Sequence, residues 1–273
     1  MVAFAANSVL CRAALGNDLI DAATFTSIRL TSGALSLILI LYFRQTGIAG
    51  KLPTFKLNAK SSIALFLYAI CFSFSYIEIS TGTGALILFG TVQLTMILVG
   101  ILKGEKSSLV VWTGIMLAFG GLVYLVFPGV TAPSFMSAAL MAISGLAWGT
   151  YSLYGRGSAN PVADTTWNFV GTLPLVAITS LIFLSSFSAS VQGIMLAIAS
   201  GALASGVGYA IWYTVLPALS RTVAAIVQLS VPTIAAIGGV LFMAEPITSR
   251  LIFASIATLG GIAIVIFAKR SSK

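Results

Sequence analysis

Residues 72–127 read FSFSYIEISTGTGALILFGTVQLTMILVGILKGEKSSLVVWTGIMLAFGGLVYLVF. A shift of 140 positions lays them, without a gap, on residues 212–267, WYTVLPALSRTVAAIVQLSVPTIAAIGGVLFMAEPITSRLIFASIATLGGIAIVIF. Ser80 then falls on Ser220, Ala85 on Ala225, Ile97 on Ile237 and Glu105 on Glu245. Gly120 and Gly121 fall on Gly260 and Gly261, and Phe127 on Phe267. The identities are few, but a lone acid and a glycine pair keep one separation in both copies. A repeat this long decides the architecture and is read before anything else.

Around this stretch the chain of 273 residues is 59% hydrophobic and 7% charged. A soluble domain carries about 25% charged residues, so the composition predicts a polytopic membrane protein. The formal net charge is +8. Its basic residues are scattered between apolar runs, which fits orientation in a bilayer better than a nucleic-acid partner. Cys11 and Cys71 both sit in apolar runs and read as packing residues. Histidine is absent, which removes the commonest metal ligand and the easiest proton relay. No cleavable signal peptide is legible.

Hydropathy predicts ten helices at 2–15, 22–43, 61–80, 83–102, 108–127, 134–155, 164–186, 191–215, 220–243 and 249–268. A span needs about 20 apolar residues, and the first segment is short for that. The expectation is a helix that begins upstream of Met1. Most connections are short and carry turn residues such as Pro128-Gly129 and Asn160-Pro161; only 44–60 is long, and it is basic. Arg44, Lys51, Lys56, Lys60, Lys103, Lys106, Arg156, Arg221, Lys269, Arg270 and Lys273 fall on one side of this layout. The other side's loops carry Arg250 and the acids Asp18 and Asp21. The positive-inside rule then puts both termini in the cytoplasm. Five spans per copy make the second copy enter the membrane from the opposite face. The expected fold is therefore all-α and integral to the membrane, with ten helices in two inverted repeats, 1–130 and 131–273. Secondary transporters share this plan and bind substrate near the midplane between halves.

Several segments resemble one family. Phe242-Met243-Ala244-Glu245-Pro246-Ile247-Thr248, after Val231-Pro232, resembles the ninth-helix signature of the EamA group of the drug/metabolite transporter superfamily. Ile101-Leu102-Lys103-Gly104-Glu105 resembles its fourth-helix counterpart. Tyr209-Ala210-Ile211-Trp212-Tyr213 with Leu219-Ser220 resembles the eighth helix. Leu146-Ala147-Trp148-Gly149 with Tyr151 resembles the start of the second repeat, and Arg29 stands where the second helix often has an arginine. The resemblance covers essentially the whole chain and implies a ten-helix exporter of small metabolites or drugs in the inner (cytoplasmic) membrane. Characterised members include amino-acid exporters, an aromatic one among them. Two features depart from the pattern: Val92 stands where the second copy has Pro232, and the first helix is short.

Polar groups in hydrocarbon face a partner, the bundle interior or a watery path. Asn7, Gln93 and Gln228 are the mid-span amides and read as substrate contacts, or else as interhelical hydrogen bonds. Trp148 and Tyr151 share a helix face and, deeper in the membrane, read as cavity-lining. Tyr209, Trp212 and Tyr213 share another face that reads as an interfacial belt, with Trp212 kept among the candidate contacts. Arg12, Arg29 and Glu78 come from three helices and fall within about 10 Å of the external face at 1.5 Å per residue, with Tyr76 nearby. They read as an external gate, or as a static ion pair locking helices 1–3. Glu105 and Glu245, between spans, are expected to accept backbone N–H groups at the start of the next helix. Gly120, Gly121, Gly260 and Gly261 read as close helix packing and as a possible dimer face, leaving monomer and homodimer open.

Enzyme chemistry finds little support. The one Asp in a predicted span is Asp164, at its first residue, and there is no metal-ligand spacing and no phosphate-binding loop; no cofactor is expected. A gradient, or nothing, would drive transport, and the lack of an acid deep in the first helix argues against a simple proton–cation exchanger. The expected function is a secondary transporter exporting a small organic metabolite, an amino acid or similar, by rocking of the two repeats. Its partners are the solute and the lipid bilayer. Multidrug efflux and a channel-like facilitator are the alternatives.

Overall fold

The computed structural model describes residues 1–46, 54, 56–105, 108–156, 158–219 and 221–271. Within them lie ten helices: α1 (Val2–Leu15), α2 (Ala22–Thr46), α3 (Ala59–Ser75), α4 (Thr81–Leu102), α5 (Leu109–Val126), α6 (Phe135–Tyr154), α7 (Pro161–Ile182), α8 (Val191–Val215), α9 (Arg221–Met243) and α10 (Ser249–Ser271). Short 3-10 turns follow α7 at Leu184–Ser186 and α8 at Leu216–Ala218. Side-chain oxygens hold the helix starts: Asn58 accepts from the Ser61 N–H, Ser134 from that of Ser137, Ser190 from that of Gly193 and Thr248 from that of Leu251.

Several helix edges differ from the hydropathy reading, and two of them bear on named residues. The third helix stops at Ser75 instead of residue 80, where the N–H groups of Tyr76 and Glu78 bond three residues back, to Ser73 and Ser75, and tighten the chain into a turn. Glu78, expected inside a span, therefore sits in an exposed turn. The seventh helix starts at Pro161, not 164, since Asn160 caps the Ala163 N–H and proline suits the first helical position. Among the described residues, seven helices are long and apolar enough to cross a membrane. α1 and α3 are apolar but have 14 and 17 residues; α1 is about 21 Å long against a hydrocarbon core of about 30 Å. The side chains of α6 that face inward include Ser137, Ser144, Trp148 and Tyr151.

The molecule is apolar outside and partly polar inside. Leu109, Phe135, Leu203, Leu241 and Phe242 stand exposed, whereas Ser73, Ser75, Ser144, Thr172 and Ser200 are fully buried. Lipid as the outer solvent accounts for this inversion. Hydrogen bonds gather all five odd-numbered turns at one end. The α1–α2 turn pairs with α7–α8 through an Ile20–Ala189 bridge. Glu78 of the α3–α4 turn accepts from Ser134 of α5–α6. Glu245, after α9, accepts from Thr81 at the start of α4. Lys56, Lys103 and Arg156 lie in the even-numbered connections, and Arg44 and Lys60 in the helix ends beside them. Lys51, Lys106, Ser220 and Lys273 lie outside the described residues, as do the side chains of Arg221, Lys269 and Arg270.

Packing partners close a ring: α1 against α9, α9 against α4, α4 against α6, α6 against α3, α3 against α2, α2 against α8, and α8 against α1. α7 backs the ring behind α2 and α3, and α5 pairs with α10 beside α4. The ring draws on both halves of the sequence, so the halves interleave and are not two blocks standing side by side.

Candidate functional site

The centre of the ring is filled by aromatic side chains. Tyr68 of α3 stacks on Trp148 of α6, with ring centroids 5.6 Å apart and planes 25° apart. Phe4 of α1 and Phe89 of α4 meet Trp148 edge-on at 5.9 and 5.1 Å. Phe4 also touches Tyr209 and Trp212 of α8, and Phe169 of α7 reaches Tyr209. Each well-placed pair adds about 0.5–1.5 kcal/mol beyond burial. Trp148 and Tyr151 are buried, and the Tyr151 hydroxyl accepts from Asn168. Tyr209 is buried in this cluster too, not in an interfacial belt; Trp212 and Tyr213 are half-buried beside it.

Arg29 enters this aromatic centre from α2. Its guanidinium lies 5.2 Å from the Tyr68 ring centroid and 4.7 Å from that of Phe72. Nη2 donates to the Tyr68 hydroxyl at 2.7 Å. The residue is 2% exposed, and among the described residues Nη1 has no hydrogen-bond partner.

All three amides find protein partners. Asn7 donates to Ser205 at 3.2 Å and accepts from Ser200 at 2.7 Å, tying α1 to α8. Gln93 of α4 donates to the side chain of Gln228 of α9 at 3.2 Å. Pro232 lies one turn further along α9 and has no N–H to offer the Gln228 carbonyl, four residues back. The backbone is thus loosened where the two amides meet.

The expected Arg12–Arg29–Glu78 cluster does not form. Arg12 pairs instead with Glu245, Nε to Oε1 at 3.2 Å. Arg12 Nη1 also donates to the carbonyls of Tyr76 at 3.2 Å and Ile77 at 2.7 Å. The second oxygen of Glu245 accepts the Thr81 N–H at 2.8 Å. One ion pair thus grips both ends of the α3–α4 turn. Tyr76 is fully buried beneath it, its hydroxyl donating to the Thr81 carbonyl. Glu78 points away and accepts from Ser134 and Ser137, whose hydroxyls hold its carboxyl below the usual carboxylate range.

Glu245 therefore caps α4 and not the following α10, whose start Thr248 holds. Glu105 and Glu245 both fold back over the end of the preceding helix, Glu105 by five residues and Glu245 by six. The N–H of each returns to a glycine carbonyl, Gly100 and Gly239, at 3.1 Å. The carboxylate of each also lies where a side chain on that glycine would be. Of the glycine pairs, Gly121 and Gly261 sit in the α5–α10 crossing, where an added Cβ would come 2.5 Å from Thr258 and Ala118 atoms. Gly120 and Gly260 face open space.

The sequence reading missed Phe4, Tyr68, Phe72, Phe89 and Phe169. Phenylalanines in an apolar run carry no periodic signal that separates ring centre from lipid face. Tyr68, a hydroxyl in the middle of a predicted span, was the one signal available.

The profile of the EamA-like transporter family matches residues 135–267, which run from α6 into α10. An uncharacterised protein of Pseudomonas aeruginosa is 46% identical over 97% of this chain and 91% of its own length. An uncharacterised transporter of Archaeoglobus fulgidus is 26% identical over 77% of each chain. A solved crystal structure shares the fold at a TM-score of 0.65 and 17% identity, covering 98% of this chain and 97% of its own. A profile match across the second half and a relative similar from end to end place the chain in the EamA-like transporter family, within the drug/metabolite transporter superfamily.

Proposed function

We propose that this protein is a secondary transporter that exports a small organic metabolite across the cytoplasmic membrane by alternating access, with both termini in the cytoplasm. The observation that carries the reading is the Arg12–Glu245 clasp. It closes one mouth of a helix ring whose interior holds aromatic rings and paired amides. Charge-assisted bonds of this kind contribute about 1.5–3 kcal/mol each, enough to hold a mouth shut and small enough to exchange for substrate contacts.

Two inverted repeats, 1–130 and 131–273, are part of the proposal. Exchanging each helix with the one five places on maps α1–α9 onto α6–α4, α1–α8 onto α6–α3, and α2–α8 onto α7–α3, and all of these pairs pack. The pairs α2–α7, α4–α9 and α5–α10 map onto themselves. This supports a pseudo-two-fold axis in the membrane plane. The basic even-numbered connections support a cytoplasmic placement for that end, which makes the clasp the outer gate. Because the halves interleave, access changes by opening one end of the ring at a time and not by rocking two separate blocks.

The test is a metabolite profile of medium from cells that overproduce the protein, followed by vesicle flux of the enriched solute. A carrier saturates and shows counterflow. Flux that rises linearly with concentration and shows no counterflow overturns the proposal.

A further inference from the structure

Arg29 brings a permanent positive charge into the centre of the ring. Its surroundings are Tyr68, Phe72, Cys11 and Tyr209, none of them acidic. The chain has six acids, and all six are placed elsewhere. Glu245 is taken by Arg12. Glu78 is held by Ser134 and Ser137. Asp21 caps α2 and the Ser188 N–H. Asp164 accepts from Ser158. Glu105 folds over Gly100 at the end of α4, and Asp18 is exposed. Tyr68 and Phe72 offer ring faces and one hydroxyl, which soften the charge without neutralising it. A buried cation with a free N–H and no protein anion is costly to keep.

We infer that Arg29 anchors the carboxylate of the transported solute through its free Nη1, and that this solute is an organic-acid anion with an apolar or aromatic body and no fixed positive charge. The second half of the statement follows from the same placement of acids. An ammonium group would need a carboxylate or free carbonyl oxygen near Arg29. The side-chain carbonyls of Asn7 and Gln228 each already accept one bond, from Ser200 and Gln93, and no carboxylate stands among the groups around Arg29. The structure thus favours a simple acid over an amino acid. Tyr68 and Trp148, which stack on each other in this form, would part to take the apolar body between them. The inference rests on the transporter reading above.

Binding can be measured apart from transport, by thermal unfolding of the purified full chain in nanodiscs. The probes are benzoate, phenylacetate and indole-3-acetate, their amides, L-phenylalanine and phenethylamine. At least one acid is expected to raise the unfolding temperature saturably, with its amide and the amine inert and L-phenylalanine weaker. Arg29→Gln should weaken the response about 10- to 100-fold, the loss of one charge-assisted contact. Its own unfolding temperature should not fall, since it removes an uncompensated buried charge. Arg29→Lys, which keeps the charge but not the planar fork, should respond weakly and covers the case in which the glutamine variant does not fold. Equal shifts with acid and amide, a stronger response to phenylalanine or phenethylamine, an undiminished response in Arg29→Gln, or no response to any acid each overturns the assignment. Acid binding without counterflow in vesicles would keep the Arg29 site and remove the transport reading. Counterflow of another solute with no acid response would do the opposite.

Discussion

Ala244 and Gly104 precede the two acids of the repeat, and both are left-handed, with φ 50° and 91°. The same 140-residue shift relates them. This backbone turn brings each acid back over its helix end, so the two positions are alike in backbone sign as well as in spacing. Alanine pays roughly 1 kcal/mol in that region, and glycine does not. Ala244→Gly is therefore expected to stabilise by about 0.5–1 kcal/mol. Gly104→Ala should destabilise by about 1 kcal/mol, although its new methyl would meet nothing within 4 Å. Thermal unfolding of both variants in one detergent checks the pair, and equal effects of the same sign would contradict it. The sequence reading sets each acid on the start of the next helix, and for Glu245 that is wrong. Its partner was not legible: Glu245 reaches across to Thr81, 164 residues away, and local pattern carries no information about which distant helix start comes within reach.

At the scale of elements, the glycines of α5 and α10 divide by face. In each adjacent pair the second residue lies in the crossing and the first faces outward. Gly121→Ala and Gly261→Ala would each force a methyl into the partner helix, an overpacking cost of about 1–3 kcal/mol. Gly120→Ala and Gly260→Ala meet open space and should be neutral, or stabilising by up to about 1 kcal/mol from helix propensity. Comparing the folded yield and unfolding temperature of the four variants tests this. A loss at Gly120 matching that at Gly121 would instead point to a covered outer face. The sequence showed that these helices pack closely but not which glycine does so. α8 gave a similar half-signal. Its run of small residues reads as close packing, and Gly201 does press on the Arg29 carbonyl. That Ala199–Val207 is wound as a π-helix was not legible. The wider winding is rare and is stabilised by contacts from other helices, such as Ser36 donating to the Ala202 carbonyl.

For the whole molecule, the ten-helix order was legible because apolar runs and turn residues alternate cleanly along the chain. The ring was not, because its neighbours come from opposite halves, and contact between α6 and α3 has no trace in either segment alone. The ring also shows that its two ends are unlike. The shift that sets Glu245 opposite Glu105 sets Ser152 opposite Arg12, and Ser152 only donates to the Trp148 carbonyl of its own helix. The charged clasp thus belongs to the α1–α2 end, and removing its cation should favour opening there. Cys11 supplies a native reporter. It is fully buried one position before Arg12, and its thiol faces Ser73 of α3 across the ring. In a Cys71→Ala background, a membrane-impermeant maleimide added outside should label Cys11 slowly. Arg12→Gln loses the ion pair and weakens the hold on the Tyr76 and Ile77 carbonyls. It should speed labelling about 10- to 100-fold, the shift in opening equilibrium for one charge-assisted contact. Glu245→Gln keeps an acceptor for the Thr81 N–H and should speed it less. An Arg12→Gln rate equal to the parent would mean that the clasp is not what holds this end closed, and labelling only from the cytoplasmic side would invert the proposed orientation.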